Sequence, residues 1–173
     1  DGSGTPSSSD VRVRAAVMAY CSQEPMVMNA TLKDNILFGS DFVPDRYAAA
    51  IEASALGPDL DQLPAGDQTE IGEKGITLSG GQKARVAVAR ATYAVLNCPG
   101  GPAASLLLLD DPLSAVDAHV GAHLWEQCIC GAMSQGTRLL VTNQVQFLGH
   151  AAVDEIIVLD QGRVVERGPF GVL

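Results

Sequence analysis

Two short runs of the sequence gather residue types that handle phosphate and a metal ion. Leu78-Ser79-Gly80-Gly81-Gln82 sets a hydroxyl and two glycines directly ahead of a helix-forming stretch. Glycines let backbone N–H groups approach an anion, Ser79 adds a hydroxyl, and the helix dipole favours negative charge at that end. The tripeptide alone reads more readily as a Gly-rich lead-in to an ordinary helix cap. Its continuation, Lys83-Ala84-Arg85-Val86-Ala87-Val88-Ala89-Arg90-Ala91, turns the balance toward phosphate. The second run, Leu106-Leu107-Leu108-Leu109-Asp110-Asp111-Pro112, puts two carboxylates at the mouth of an apolar segment. A hard cation such as Mg²⁺ takes one carboxylate in such a place, and hydrolysis needs a second acid to orient water. The plainer alternative is a solvated strand end terminated by Pro112.

Both runs need elements to hold them. Gln82 to Val95 has helical spacing, with Val86, Ala89, Arg90 and Tyr93 in step. Leu106 to Leu109 is a continuous apolar run, the pattern of a strand buried on both faces, and Thr137 to Thr142 reads as a second buried strand. His119 to Met133 is expected to be a helix between them. Val11 to Tyr20 is β-branched and small, a further strand, and Gln23 to Thr31 is a loop broken at Pro25. Pro44 opens a helix through Ala53, which Gly57-Pro58 stops. Asp59 to Thr77 is polar and punctuated by glycine, an excursion that a compact domain seldom carries without use. Asn97 to Ser105 forms a surface loop. Ile156 to Leu159 and Arg163 to Glu166 flank Asp160-Gln161-Gly162 as a β-hairpin. Strands alternating with helices predict an α/β fold, a largely parallel sheet with an antiparallel edge. The opening Asp1 to Asp10 has no periodicity and is expected to be disordered.

With 173 residues the chain suits one domain rather than two. A net charge of -9 argues against nucleic acid as a partner, which wants a basic face. Cys21, Cys98, Cys128 and Cys130 match neither a metal cage nor a disulfide framework, which points to a reducing compartment. No apolar run reaches the length of a membrane span and no secretory signal is evident. His123 and His150 read as surface or packing residues, and Trp125 as core.

From about Tyr20 to Gly168 the chain resembles the ATP-binding cassettes of ABC transporters, most of all the first nucleotide-binding domain of the ABCC, or multidrug-resistance-protein, type. The resemblance rests on Cys21-Ser22-Gln23-Glu24-Pro25, Asn35-Ile36-Leu37-Phe38-Gly39, Glu70-Ile71-Gly72-Glu73-Lys74-Gly75, the Leu78–Gln82 signature, and Asp110-Asp111-Pro112-Leu113-Ser114-Ala115-Val116-Asp117. It implies a P-loop NTPase-like fold. It divides the chain into a segment 1–10 and a partial cassette 11–173, with a helical signature part at about 24–95 and the remainder of the catalytic core at 105–173. It implies ATP and Mg²⁺ as ligands. Gln23 would touch Mg²⁺ or the lytic water and sense the membrane domain. Ser79, Gly80, Gly81 and Gln82 would bind the γ-phosphate of ATP held by the opposite domain. Asp110 would hold Mg²⁺, and Ser114 to Asp117, Asp117 included, would form the D-loop across a head-to-tail dimer. The partners implied are a second nucleotide-binding domain and the transmembrane domains of an exporter, at the cytoplasmic face of a membrane, with no nucleic acid.

The sequence departs from that pattern in three places. The family's phosphate loop ends Gly-Lys-Ser/Thr, yet Lys33, Lys74 and Lys83 follow Leu, Glu and Gln. Neither this Walker A loop nor its strand is recognisable. The resemblance would make the chain a piece of a longer protein in the first place, and a degenerate gene product in the second. Asp111 stands where the hydrolytic pattern has glutamate, although aspartate is usual in this type's first domain. Asn143 replaces the switch histidine, and its amide can hydrogen-bond a phosphate but cannot carry a proton. Both changes suit binding better than hydrolysis. Whether the chain is an enzyme is therefore open. An exporter cassette acting in trans is the leading expectation, and a non-catalytic module docking on a transporter the alternative. A soluble ABC protein of translation or DNA repair fits the Asn-Ile-Leu-Phe-Gly and Ser-Ala-Val-Asp runs less well.

Overall fold

The computed structural model describes residues 15–173. The expectations for 1–10 and for the start of the Val11–Tyr20 strand lie outside the described residues. Along the chain run β1 (Val17–Cys21), β2 (Ala30–Thr31), α1 (Leu32–Leu37), α2 (Pro44–Ala53), α3 (Gly57–Gln62), β3 (Glu70–Ile71), α4 (Gly80–Leu96), β4 (Ser105–Asp110), α5 (Ala118–His123), β5 (Thr137–Val141), β6 (Ile156–Asp160) and β7 (Arg163–Gly168). α5 runs on into a π-helical stretch, Leu124–Ala132, in which the Met133 N–H reaches back to the Cys128 carbonyl at 2.8 Å. The fold is α/β, and its central sheet is parallel in the order β1-β4-β5.

α4 organises the molecule. Ser79 caps it, and alanines dominate its interior because they give up no side-chain entropy on entering a helix. Its buried residues divide between two cores. Ala87, Val88, Ala91 and Val95 pack with Leu107 and Leu109 of β4 and with Leu124, Trp125 and Cys128. Val86, Ala89 and Tyr93 pack instead with Leu32 and Ile36 of α1 and Tyr47 and Ala50 of α2. The helix is thus a wall shared by a sheet layer and a helical layer. Asn35, fully buried, ties the segment before α1 to it. Its amide bonds the Met28 N–H at 2.8 Å and the Met28 and Thr31 carbonyls at 3.0 Å each. Arg90 of α4 donates to the Asn35 carbonyl at 2.7 Å.

Four elements differ from the sequence reading. Gly57-Pro58 does end α2's path, but Pro58 also sits in the first turn of α3, where its missing N–H costs nothing. The Asp59–Thr77 excursion therefore holds α3 and β3 rather than open loop. β4 alternates buried and half-buried side chains instead of being buried on both faces. β5 is not a buried strand: Leu139 and Val141 are 54% and 57% exposed, because nothing among the described residues packs on that side. The register explains the pattern. Tyr20, Leu108 and Leu139 share one face, whereas Cys21, Leu109 and Leu140 share the other, which α4 covers. The first face also carries Met18, 65% exposed, and Tyr20, 60% exposed. The β6–β7 hairpin forms a separate two-stranded sheet and is not hydrogen-bonded to β5.

Candidate functional site

Three parallel strands end together, and the sequence places a polar group just beyond each. Registry of Cys21 with Leu109 and of Asp110 with Val141 sets Gln23, the Asp110–Asp111 pair and the Thr142–Gln144 turn along one sheet rim. Ligands of open α/β sheets bind in the crevice outside the carboxyl ends of the strands. Gln23 and Asp111 line one cleft together with Ser22, Pro25, Pro112 and Ala115. Asp110 is half-buried, whereas Gln23 and Asn143 are exposed.

Asp111 has a left-handed backbone, φ 47°. Aspartate tolerates this conformation better than longer side chains do. The turn is held on all sides: the Asp111 N–H donates to the Val141 carbonyl at 2.8 Å, and its own carbonyl accepts from the Ser114 N–H at 3.2 Å and the Ser114 hydroxyl at 2.8 Å. Thr142 donates its hydroxyl to the Asp111 carboxylate at 3.3 Å. The Gln144 side-chain amide donates to the Leu113 carbonyl at 3.0 Å. Thr142 and Gln144 thus tie the turn after β5 to the turn after β4, and neither is marked by sequence spacing.

At the N-terminus of α4, Ser79 and Gln82 form a reciprocal capping box. The Gln82 N–H donates to the Ser79 hydroxyl at 3.2 Å, and the Ser79 N–H donates to Gln82 Oε1 at 2.9 Å. Gly80 is exposed, with open space around it; a Cβ on Gly81 would meet the Ala115 carbonyl at 3.1 Å. The signature run and the Ser114–Asp117 loop are therefore neighbours within this chain. Asp117 caps α5, accepting from the His119 and Val120 N–H groups at 2.9 and 3.0 Å. Those N–H groups, Val120's first, hold its carboxyl below the usual carboxylate range.

Asp59 stands at the head of a polar stretch with no motif around it. Its carboxylate is buried and accepts both Nε and a terminal nitrogen of Arg85 at 2.8 Å, and Gln82 Nε2 at 3.1 Å. No local pattern announces this contact, since the partners lie 23 and 26 residues away. A separate cavity of about 370 Å³ opens among Pro25, Val27, Asn29, Gly72, Glu73, Thr77, Leu78 and Lys83.

Among the described residues, no three His, Cys, Asp or Glu side chains converge as a closed metal cage. The donors along the rim, a carboxylate at Asp110 and an amide at Gln23, are hard oxygens. They fit Mg²⁺, which keeps waters and binds through one or two carboxylates with substrate phosphates filling the remaining positions. No described helix is long and apolar enough to cross a membrane.

A parallel sheet with these groups at its carboxyl ends and a helical layer beside it is the architecture of a P-loop NTPase-like domain. The sequence makes the class more specific. The chain is 52% identical to human ATP-binding cassette sub-family C member 2 over 157 residues, 90% of this chain and 10% of that protein. It is 50% identical to human ATP-binding cassette sub-family C member 10 over 159 residues, 92% of this chain and 10% of the relative. With Multidrug resistance protein mrp-7 of Caenorhabditis elegans the figures are 51% over 155 residues, 88% and 10%. The chain belongs to the ABCC type of ATP-binding cassette proteins, and it spans about a tenth of the length of these relatives. No protein-family model matches it.

Proposed function

We propose that the chain is part of a nucleotide-binding domain of an ABCC-type exporter, on the cytoplasmic face of a membrane, and that its own contribution to ATP turnover is made in trans. The observation that carries this reading is the contact between Gly81 and the Ala115 carbonyl. It joins a helix N-terminus suited to phosphate and an exposed turn into one surface, in a chain whose sequence has no Gly-Lys pair to cradle a nucleotide of its own. Ser79 and the N–H groups of Gly80 and Gly81 would meet the γ-phosphate of ATP held by a second nucleotide-binding domain, aided by the helix dipole. Ser114 to Asp117 would lie along the same dimer face.

Asp110 and Gln23 would hold Mg²⁺, which supplies charge neutralisation on the phosphates. Asp111 would orient water, and Asn143 would hydrogen-bond a phosphate without carrying a proton. The Gln23 region would face the transmembrane domains. The two cores on either side of α4 support a division into a helical signature part, residues 24–95, and a catalytic remainder, 105–173. The outer edge of β5, unpaired among the described residues, offers a seat for a phosphate-loop strand from elsewhere in a longer protein.

The test mixes the chain with a nucleotide-binding domain that has an intact Gly-Lys-Ser/Thr loop and measures ATP hydrolysis. Stimulation that disappears in Ser79→Arg is the expected result. Absence of stimulation, or its survival in Ser79→Arg, rejects the trans role, and micromolar ATP binding by the chain alone rejects the claim of an incomplete cis site. A second reading, a regulatory module that docks on a transporter without hydrolysis, is favoured by Asn143 and by the short side chain at Asp111. It predicts unchanged partner hydrolysis together with retained binding to the transporter.

A further inference from the structure

Asp59 lies in the first turn of α3, far in sequence from the signature run, yet the geometry assigns it control of Ser79. Resting on the reading above, we propose that Asp59 is a positioning residue for the signature serine, acting through Gln82 and Arg85. A carboxylate only accepts hydrogen bonds, so it dictates which end of the Gln82 amide faces it. The Nε2 group donates to Asp59 Oδ1 at 3.1 Å, which leaves Oε1 turned toward the Ser79 N–H at 2.9 Å. Both polar ends of Gln82 are thereby engaged inside the chain, and the orientation of Ser79's peptide follows from a residue on another helix.

The same carboxylate takes Arg85 in a two-pronged contact, at 2.8 Å on each oxygen. Arg85 also flanks the signature glycine, its Nη1 lying 3.7 Å from where a Cβ on Gly81 would stand. Pairing with Asp59 holds the guanidinium plane still and neutralises its charge beside the proposed phosphate position. The anion site is thus left to N–H groups, the Ser79 hydroxyl and the helix dipole. Asp59 is 7% exposed, so water offers Gln82 and Arg85 little replacement if the carboxylate is removed.

The test uses the full chain mixed with the partner domain described above and separates the ATP concentration dependence from the maximal rate. In Asp59→Asn one carboxamide oxygen stands where two carboxylate oxygens accept from Gln82 Nε2 and Arg85, so an N–H group must face one of those donors, and the maximal stimulated rate is expected to fall about tenfold, the weight of one lost polar contact. The double variant Asp59→Asn with Gln82→Glu reverses donor and acceptor, again leaves an oxygen for the Ser79 N–H, and is expected to recover most of the rate. A purely structural Asp59 would not be rescued by that exchange. Gln82→Met cuts the link to Ser79 while keeping the Asp59–Arg85 pair, and covers the case in which Asp59→Asn does not fold. Its expected loss is the same tenfold. Full stimulation in Gln82→Met, or in folded Asp59→Asn, while Ser79→Arg abolishes it, overturns the role of Asp59 and leaves the trans reading intact. Full stimulation in Ser79→Arg as well overturns both.

Discussion

Gly81 lies against Ala115 so closely that a Cβ on the glycine would come within 3.1 Å of the alanine's carbonyl oxygen, whereas a Cβ on the adjacent Gly80 would touch nothing within 4 Å. Two glycines in one helical turn are thus small for different reasons. Gly80→Ala is expected to stabilise the chain by about 0.4–1 kcal/mol, since only the unfolded state loses freedom. Gly81→Ala should gain less or lose, because the Ala115 turn must move. Chemical denaturation of the two variants side by side measures the difference, and an equal gain for both would contradict the contact.

Tyr93 is fully buried, and its hydroxyl donates to the Asp41 carbonyl while accepting the Val43 N–H at 2.9 Å. It joins α4 to the segment that leads into α2. Tyr93→Phe keeps the ring but leaves both backbone groups without their partner, at a cost of about 1–3 kcal/mol. The urea midpoint should fall with an unchanged slope. A variant as stable as the parent would show that water reaches those groups.

Burial pushes the Cys21 and Cys128 thiols up to about 12. Their folded values exceed the ordinary value of 9.0, so their contribution to stability is complete below pH 9 and is lost between pH 9 and about 12, as the unfolded thiols ionise first. Unfolding followed across that range should show the decline. Cys98 is buried as well, whereas Cys130 is half-buried. Brief alkylation at neutral pH, read by mass spectrometry, should label Cys130 before the other three.

Asp117 presents the opposite sign. Its folded carboxyl lies below the ordinary 3.8 because the Val120 and His119 N–H groups bind the charged form. The cap on α5 is therefore intact above pH 3.8 and is lost as pH falls through the lower folded value. The amide resonances of His119 and Val120 should shift together in that acid range. In Asp117→Ala this step should be absent.

Much of the fold is legible in residue order because local chemistry decides it. Ser79 and Gln82 announce the start of α4 as a capping box, Pro44 opens α2, and the Asp160-Gln161-Gly162 turn closes a hairpin. Asp110 was legible for a similar reason, since it follows an apolar run with a strand's pattern, whereas Gln23 was marked only by the resemblance to the cassette family. The exposure of β5 was not. Thr137 to Val141 has a buried strand's composition, and only its place at the end of the β1-β4-β5 order leaves Leu139 bare. Asp59 escaped for want of any short-range signal. A carboxylate in a polar stretch looks solvated until the fold brings Arg85 and Gln82 to it.

The uncovered face of the parallel sheet has a consequence for the chain's life in a cell. Met18, Tyr20, Leu139 and Val141 present greasy side chains beside a strand edge, the features by which chaperones and proteases tell finished proteins from unfinished ones. In the proposed assembly that face would be covered, and the polypeptide's lifetime is then expected to lengthen when a partner is present and to shorten when it is not.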